Sequence, residues 1–297
     1  MIKSEANHYS KPKPDVHPYV DIQKRVHLGS GPTFKENWHE EFQLYYLTSG
    51  TGLLRCDSEQ MDMCPGDVAL INSNELHVLE SRSSSLSCYV IRIDPAAMFS
   101  LMPGLSTLKF AVLLSQQLVC FSHLVRGDRQ IQSCIRSLIQ EDEERRGGFE
   151  LAVQSSVLEL FVLLLRSYVS KIYTKKRFDT RMNSLSRLKS VILYMNEHYQ
   201  KSLTVAELAG RALMSESHFC RTFKKIYGKT VVNYINSLRI DKAGELLKNS
   251  PLNITEIALA VGFNDANYFS RVFKRQKGIT PQMMRTQIAS GRSKQTS

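Results

Sequence analysis

An internal repeat in the last third of the chain limits the possible fold more than any other sequence feature. The segment LTVAELAGRALMSESHFCRTFKKIYGKT, which starts at Leu203, aligns with LNITEIALAVGFNDANYFSRVFKRQKGIT, which starts at Leu252. The aromatic, basic and turn positions of the two copies match: Phe219 with Phe269, Arg221 with Arg271, Phe223 with Phe273, Lys224 with Lys274, Gly228 with Gly278 and Thr230 with Thr280. A repeat of this kind indicates two copies of one supersecondary unit.

Each copy has the pattern of two short helices around a tight turn. Thr204 and Asn253 are typical helix N-caps, and apolar residues follow them at helical spacing. A second helix is predicted after Ser215 in the first copy and after Asn264 or Asp265 in the second. These helices end at Gly228 and Gly278. The pattern predicts helix-turn-helix units at about 203–228 and 252–278.

The two turns differ in one residue. Gly262 allows a positive φ in the second turn at little cost. Leu213 stands at the matching place in the first copy, so that turn must either avoid positive φ or tolerate strain. Ala209 and Ala258 are small enough for the helices of each unit to cross closely. Between the units, Val231–Lys248 has the apolar spacing of one helix, a rigid spacer of roughly 27 Å.

The positive charge of the chain is concentrated around this repeat. Residues 187–297 contain 18 Lys and Arg against 7 Asp and Glu, a net charge of +11, while the first 186 residues are neutral overall. A polyanion that contacts one domain only would explain this asymmetry, and a solubilising surface is the alternative. Arginine can bond guanine through two atoms, asparagine can do the same for adenine, and lysine neutralises phosphates.

The region Leu185–Thr286 resembles the DNA-binding domain of the AraC family, with IALAVGFNDANYFSRVFKRQKGITPQMMR closest to the family signature. The resemblance places base contacts on the two second helices, at Ser217, Cys220, Arg221, Ala266, Asn267, Ser270 and Arg271. Basic residues in the last turns are suited to phosphate contacts: Lys224, Lys225, Lys274 and Arg275. For Arg221 and Arg271 the alternative role is a surface salt bridge, and Ser217 and Cys220 are too short to contact many base edges.

The N-terminal half has the pattern of an all-β domain, with turn residues between short strands. Between Phe34 and Ile93, short apolar runs are separated by turn residues, including Asp57-Ser58. WHEEFQLYYLTSGTG and CPGDVALINSNELH resemble the two cupin motifs and, equally, the sensor half of AraC-type regulators. On this resemblance the barrel would hold a small molecule, such as a sugar. The candidate contacts are Trp38, His39, Tyr45, Arg55, His77 and Tyr89.

A cupin-type, metal-dependent enzyme with an accessory DNA-binding domain is the alternative function. His39 and His77 occupy matching places in the two motifs, with Glu41 as a possible third ligand. Cupin enzymes typically use three histidines and a carboxylate, so the set is incomplete. We therefore predict no metal, no cofactor and no catalytic residues.

The remaining segments complete the predicted organisation. Two apolar helical stripes between Leu105 and Tyr168 would cover the barrel or pair two subunits, and the resemblance favours a homodimer. The predicted domains are 1–170 for sensing and dimerisation, 171–186 as a polar linker and 187–297 for DNA binding. The fold class is α+β: a cupin-like β-barrel with following helices, then an all-α domain of two helix-turn-helix units joined by a long helix.

The expected function is sequence-specific regulation of transcription, as an activator that responds to a small molecule and contacts RNA polymerase. The six cysteines form no CxxC pair, and the longest apolar run, Leu160–Leu165, is too short to span a bilayer. Residues 1–15 lack the apolar core of a signal peptide. We therefore expect a cytoplasmic protein with reduced cysteines and no membrane partner.

Overall fold

The structure, a computed structural model, describes residues 18–33, 37–56 and 59–293, with side chains up to residue 287. The chain divides into two compact units between Met182 and Asn183. The predicted turn at Asp57-Ser58 and the start of the β pattern at Phe34 lie outside the described residues. None of the described helices is both long and apolar enough to cross a membrane.

Two antiparallel sheets form most of the N-terminal unit. The strands are β1 (Val20–Leu28), β2 (Gly31–Pro32), β3 (Phe42–Ser49), β4 (Gly52–Cys56), β5 (Glu59–Met63), β6 (Val68–Ile71), β7 (His77–Ser81), β8 (Ser85–Ile93), β9 (Val119–Phe121), β10 (Leu124–Val125) and β11 (Val169–Ile172). One sheet has the order β1-β8-β3-β6-β10 and the other β2-β7-β4-β5. This is the predicted β-rich sensor domain followed by helices.

Strand alternation gives the five-stranded sheet two buried faces. Tyr45 and Leu47 of β3 pack with Leu54 of β4 and Leu79 of β7, in the space between the two sheets. The alternate β3 residues, such as Leu44, pack on the other face against helices. Each buried apolar residue of β3 therefore belongs either to the space between the two sheets, which we call the interior of the barrel, or to the helical layer.

Four helices contribute to the core on the outer face of the five-stranded sheet. They are α1 (Pro95–Ser100), α2 (Lys109–Ser115), α3 (Arg129–Glu144) and α4 (Phe149–Ser167). Buried residues of α3 and α4, among them Ile135 and Leu160, share one core with Leu44. The apolar stripes predicted for these helices thus pack within the chain. Leu151 and Val162 remain exposed on α4, at 71% and 42% of their surface.

The segment 171–186, predicted as a linker, consists mostly of regular structure. Residues 171 and 172 belong to β11, which pairs with β9, and helix α5 (Lys175–His198) begins three residues later. The first part of α5 is polar and exposed, so its composition resembles that of a linker, and the boundary between the two compact units falls inside it, between Met182 and Asn183. The buried side chains of α5 begin only at Leu185.

The C-terminal unit consists of helices. After α5 come α6 (Val205–Arg211), α7 (Glu216–Tyr227), α8 (Val231–Asn249), α9 (Ile254–Ala260), α10 (Ala266–Lys277) and α11 (Pro281–Ser293). Thr204 and Ser215 cap α6 and α7, while Asn253 forms a capping box with Glu256. Asp265, rather than Asn264, caps α10. The two helix-turn-helix units and the long helix between them are confirmed.

The two turns share a positive φ and the same backbone hydrogen bonds despite their different residues. Leu213 has φ 53° and Gly262 has φ 93°. In the first turn Leu213 donates its N–H to Gly210 and Met214 to Ala209; the second turn repeats both bonds 49 residues later. The first unit therefore tolerates a positive φ at a leucine that is 73% exposed. For a residue with a Cβ this conformation costs about 1–2 kcal/mol.

Candidate functional site

The second helix of each unit, α7 or α10, is fixed by its apolar face. Phe219 and Phe223 of α7, and Phe269 and Phe273 of α10, are fully buried. Because these residues lie four apart, they occupy one side of each helix. The polar residues between them are left on the opposite side, which faces solvent.

Most of the predicted base contacts lie on this solvent-facing side. Ser217, Cys220, Arg221, Asn267 and Arg271 are exposed, whereas Ala266 and Ser270 are partly buried. Arg221 donates to the carbonyl of Ser217 at 3.3 Å, and the Arg271 guanidinium lies 6.0 Å from the Tyr268 ring centroid. Neither arginine forms an ion pair with a carboxylate of the described residues, so the salt-bridge alternative has no support there.

The predicted phosphate contacts also lie in exposed positions. Lys224 and Lys225 are in the last turn of α7, and Lys274 and Arg275 are in the last turn of α10. Each cluster sits where the helix dipole favours cations. Lys277, the next basic residue of α10, pairs with Asp241 of α8 at 2.7 Å and is less available to a phosphate.

Helix α8 connects α7 and α10, the second helices of the two units, through buried contacts; the second helix of a helix-turn-helix is called its recognition helix. Tyr234 of α8 packs edge-on against Phe223 of α7, with 5.5 Å between ring centroids. Further along α8, Ile240 and Leu247 share a core with Phe269 and Phe273 of α10. Both recognition helices therefore pack against a single helix of 19 residues, about 28 Å long.

One residue of this unit was missed by sequence reasoning. Arg239 of α8 is partly buried and donates to the carbonyls of Tyr199 at 2.7 Å and Lys201 at 2.8 Å. These bonds join α8 to the chain that follows α5. An arginine between the apolar positions Leu238 and Ile240 was the available signal.

In the N-terminal unit, three of the predicted effector contacts form one buried group. The His39 and His77 rings meet edge to face with 4.9 Å between centroids, and the Tyr45 ring lies 6.0 Å from that of His77. Gln43, which sequence reasoning missed, donates its amide to His77 Nε2 at 3.2 Å and accepts from Arg92 Nε at 2.7 Å. We call His39, Gln43, Tyr45, His77 and Arg92 the interior polar cluster.

The hydrogen bonds of the two histidines fix which nitrogen carries the proton. His39 Nδ1 lies 2.9 Å from the carbonyl of Glu41, and His77 Nδ1 lies 3.0 Å from that of Glu75. A carbonyl only accepts, so both Nδ1 atoms must donate and both Nε2 atoms are acceptors. His77 Nε2 accepts from Gln43, whereas His39 Nε2 is buried and has no hydrogen-bond partner among the described residues.

Burial keeps both rings neutral. Burial, together with the nearby His77 and Arg92, lowers the pKa of His39 to about 3, against the opposing effects of Glu41 and Gln43. Burial likewise lowers the pKa of His77 to about 4. Burial also raises the pKa of Tyr45, so its hydroxyl stays protonated. The cluster therefore presents neutral donors and acceptors beside the Arg92 guanidinium.

Of the other three predicted effector contacts, Arg55 and Tyr89 do not join this cluster. Trp38 is partly buried beside His39 in the chain. Arg55 pairs in register with Val78 and forms an ion pair with Glu80 at 2.9 Å, on the face of β4 that points away from the interior. The Tyr89 side chain packs with the helical layer and donates to Glu143 of α3 at 2.9 Å. The structure thus places Arg55 and Tyr89 outside the barrel interior.

The residues of the cupin-type alternative do not fit a metal. The Glu41 carboxylate lies 3.7 Å from His39 Nδ1, on the side of the ring that already bonds a backbone carbonyl. The free nitrogen is Nε2, and the positive charge of Arg92 acts on both histidines. Glu41 therefore does not complete a ligand set with His39 and His77.

A second polar cluster lies at one end of the barrel and was not anticipated. The Glu75 carboxylate accepts from the backbone and side-chain nitrogens of Asn72 at 3.0 Å and from Cys56 Sγ at 3.5 Å. The two ring nitrogens of His123 lie 2.9 Å from Glu75 and 2.9 Å from Glu59. Burial alone would lower the pKa of His123, but the two carboxylates outweigh it and raise the pKa to about 9.

Comparisons with known proteins agree with both halves of this architecture. Residues 28–161 match the family described as AraC-like ligand binding domain, and residues 208–287 match the one described as helix-turn-helix domain. The chain is 26% identical over 250 residues to the uncharacterized HTH-type transcriptional regulator YdeC of Bacillus subtilis, covering 82% of this chain and 84% of YdeC. It is 27% identical over 269 residues to the HTH-type transcriptional activator RhaS of Escherichia fergusonii, covering 90% and 91%.

Solved structures give weaker likenesses. The DNA-binding domain of AdpA in complex with a target DNA is 29% identical, with a TM-score of 0.35, and covers 36% of this chain and 96% of that one. ToxT from Vibrio cholerae is 17% identical, with a TM-score of 0.43, and covers 90% and 98%.

The fold and the paired family matches define a two-domain regulator with a sensor half and a DNA-binding half. The chain belongs to the AraC family of transcription regulators, and it regulates transcription by binding DNA through its helix-turn-helix units.

Proposed function

We propose that this regulator is an activator whose barrel interior binds a small, neutral, hydroxyl-bearing molecule such as a sugar. The observation that carries the proposal is the buried His39 Nε2, which lacks a hydrogen-bond partner among the described residues. A buried acceptor without a donor costs about 1–3 kcal/mol. A ligand that supplies an O–H group to this nitrogen recovers that cost.

The surroundings of His39 favour the same class of ligand. His77 and Tyr45 are neutral and, with Gln43, offer both donors and acceptors within one buried space. Arg92 already donates to Gln43 at 2.7 Å and lies 3.5 Å from Asp21, so its charge is balanced within the chain. Several hydroxyls on one small molecule match this mixture better than a single charged group does.

A thermal-shift measurement on the full chain tests the proposed effector class. Monosaccharides and polyols are compared with carboxylates and hydrocarbons of similar size, because a ligand that binds only the native state raises the melting temperature. We expect a hydroxyl-bearing compound to raise it, and His39→Phe to abolish the shift since it retains a ring but removes the acceptor.

Arg55→Gln is the matched control, because Arg55 lies on the opposite face of β4. It should leave the ligand-induced shift unchanged. Stabilisation only by compounds without an O–H or N–H donor, or a shift that survives His39→Phe, would contradict the assignment.

In the DNA-binding half we propose base contacts by Ser217, Cys220, Arg221, Ala266, Asn267, Ser270 and Arg271, and phosphate contacts by Lys224, Lys225, Lys274 and Arg275. Two observations support this assignment: most of these residues are exposed on α7 and α10, and neither Arg221 nor Arg271 forms an ion pair with a carboxylate among the described residues. Ala266 and Ser270 have the least exposed surface and would contribute through small or apolar contacts.

Arg271→Ala tests the base contacts directly. We expect it to weaken binding to the operator by about 1–3 kcal/mol, or roughly 5- to 150-fold, and to relax the preference at one base pair. The operator is first obtained by selecting genomic fragments with the purified protein. Affinities for operator and random DNA are then measured at several salt concentrations.

Lys274→Ala is the control on the same helix. It should weaken binding to operator and random DNA alike. It should also reduce the slope of log K against log salt concentration by about 0.9, the value for one phosphate contact. If Arg271→Ala also weakened both alike, Arg271 would be a phosphate contact rather than a base contact.

Three further parts of the proposal concern partners and location. Activation implies contact with RNA polymerase, and the similarity to a transcriptional activator supports this sign of regulation. The exposed Leu151 and Val162 of α4 support a homodimer through the sensor unit. Since DNA is the partner, we place the protein in the cytoplasm. The relatives support no enzymatic role, so we assign none.

A further inference from the structure

We propose that Cys56, Glu75 and His123 form a binding site for a divalent transition metal ion, with zinc as the best match. The three residues come from different parts of the sensor unit: the end of β4, the loop before β7 and the turn between β9 and β10. Their ligand atoms, one from each residue, all lie within 4.8 Å of one another. The site shares no side chain with the interior polar cluster, although the Glu75 backbone carbonyl accepts from His77 Nδ1 at 3.0 Å, and it does not rest on the effector proposal.

The donor set matches zinc chemistry. Zinc accepts thiolate, imidazole and carboxylate ligands at about 2.0–2.3 Å in a tetrahedral arrangement. Cys56 Sγ lies 3.5 Å from Glu75 Oε2, which lies 2.9 Å from His123 Nε2. These separations are close to those between neighbouring ligands of one tetrahedral ion. Softer thiolate and imidazole donors exclude magnesium and calcium, which prefer oxygen.

The groups behind the ligands are also arranged for a metal. His123 Nδ1 faces the Glu59 carboxylate at 2.9 Å, so its Nε2 points toward Cys56 and Glu75. A carboxylate that holds the second nitrogen is the usual support of a metal-bound histidine. Cys56 is fully buried and Glu75 is 5% exposed, so these two ligands are shielded from water.

Metal binding would leave the charge of the cluster unchanged. A divalent ion displaces the proton of the Cys56 thiol and the proton shared between His123 and Glu75. Two protons leave and two positive charges enter, so the balance with Glu59 and with Arg181, which lies 3.6 Å from Glu75, is preserved. The three protein ligands leave a fourth position for water. Such an ion would fasten the loop that carries Glu75 to two neighbouring elements.

Cobalt titration of the full chain tests the site. The protein is stripped with a chelator, and Co²⁺ is added under reducing conditions while absorption is recorded. We expect one Co²⁺ per chain with a near-ultraviolet thiolate-to-cobalt charge-transfer band, both displaced by Zn²⁺. Cys56→Ser should abolish the charge-transfer band. Glu59→Gln should weaken Co²⁺ binding by about 10- to 100-fold, and the band should still form at saturation.

Two control variants and a second ligand variant make the result specific to this site. Cys64→Ser changes an exposed cysteine and should bind like the wild type. His39→Phe alters the interior polar cluster and should also bind normally, which separates this site from the cupin motifs. His123→Gln is a second ligand variant in case Cys56→Ser does not fold, as judged by circular dichroism. Absence of the band in the wild type, or its survival in Cys56→Ser or folded His123→Gln, would overturn the proposal.

Discussion

Replacing Gly262 with alanine is expected to lower the free energy of unfolding of the C-terminal unit by more than about 2 kcal/mol. The left-handed backbone alone costs about 1–2 kcal/mol for a residue with a Cβ. In addition, a Cβ at Gly262 would lie 2.7 Å from the carbonyl oxygen of Gln200 and 2.9 Å from its Cα. Those are backbone atoms, so they cannot rotate away. The change should be measured by denaturant unfolding and by loss of operator binding.

Two other substitutions serve as comparisons. Gly244→Ala, in helix α8, meets nothing within 4 Å and should be neutral or stabilising by up to about 1 kcal/mol. Leu213→Gly makes the reciprocal change in the first turn, where the side chain is exposed, and should stabilise by about 0.5–1 kcal/mol. If Gly262→Ala and Gly244→Ala unfolded at the same denaturant concentration, the inferred clash between a Cβ at position 262 and the backbone of Gln200 would be contradicted.

Acidification from pH 7 to pH 5 is expected to destabilise the N-terminal unit by about 2 kcal/mol through His39 alone. Burial, with His77 and Arg92 nearby, lowers the pKa of His39 to about 3, below its ordinary value of 6.5. The unfolded chain therefore takes up this proton from pH 6.5 downward, while the folded chain does so only near pH 3. Stability is lost as pH falls through this window, by about 1.4 kcal/mol per pH unit.

The single tryptophan makes the measurement specific to the sensor unit. Trp38 lies in that unit, so its fluorescence during denaturant unfolding reports on it. His39→Phe cannot take up a proton, so its stability should fall less steeply with pH, by about 1.4 kcal/mol per unit below pH 6.5. The comparison stops at pH 5, above the ordinary pKa values of carboxyl groups, so that histidine protonation dominates the difference. Parallel profiles for the two proteins would contradict a buried, neutral His39.

The DNA-binding half was predictable because its signals are local. Capping residues such as Thr204 and Asn253, buried phenylalanines four apart and terminal glycines each act within one turn of helix. The repeat showed that these signals belong together. The strain at Leu213 was also foreseeable from its alignment with Gly262, although the sequence left two outcomes open.

The sensor site was predicted less well because it depends on long-range pairing. Arg55 and Tyr89 were chosen by residue type, yet strand alternation alone places each on the face opposite its neighbours Cys56 and Cys88. Gln43 lies on the same face as Tyr45 and was missed for the same reason. Cys56, Glu75 and His123 are far apart in sequence, and only the folded sheets bring together the end of β4, the loop before β7 and the turn between β9 and β10.

The shared attachment of both recognition helices to α8 has a consequence for the promoters under this regulator. Each base pair inserted between two half-sites rotates the second about 35° around the DNA axis, since a turn contains 10–10.5 base pairs. Because α8 is one continuous helix, it cannot turn α10 relative to α7 by that angle. Base substitutions within a half-site remove one contact each, whereas a single insertion removes a whole unit. Promoters of this regulon should therefore diverge by substitution while the length between their half-sites stays constant.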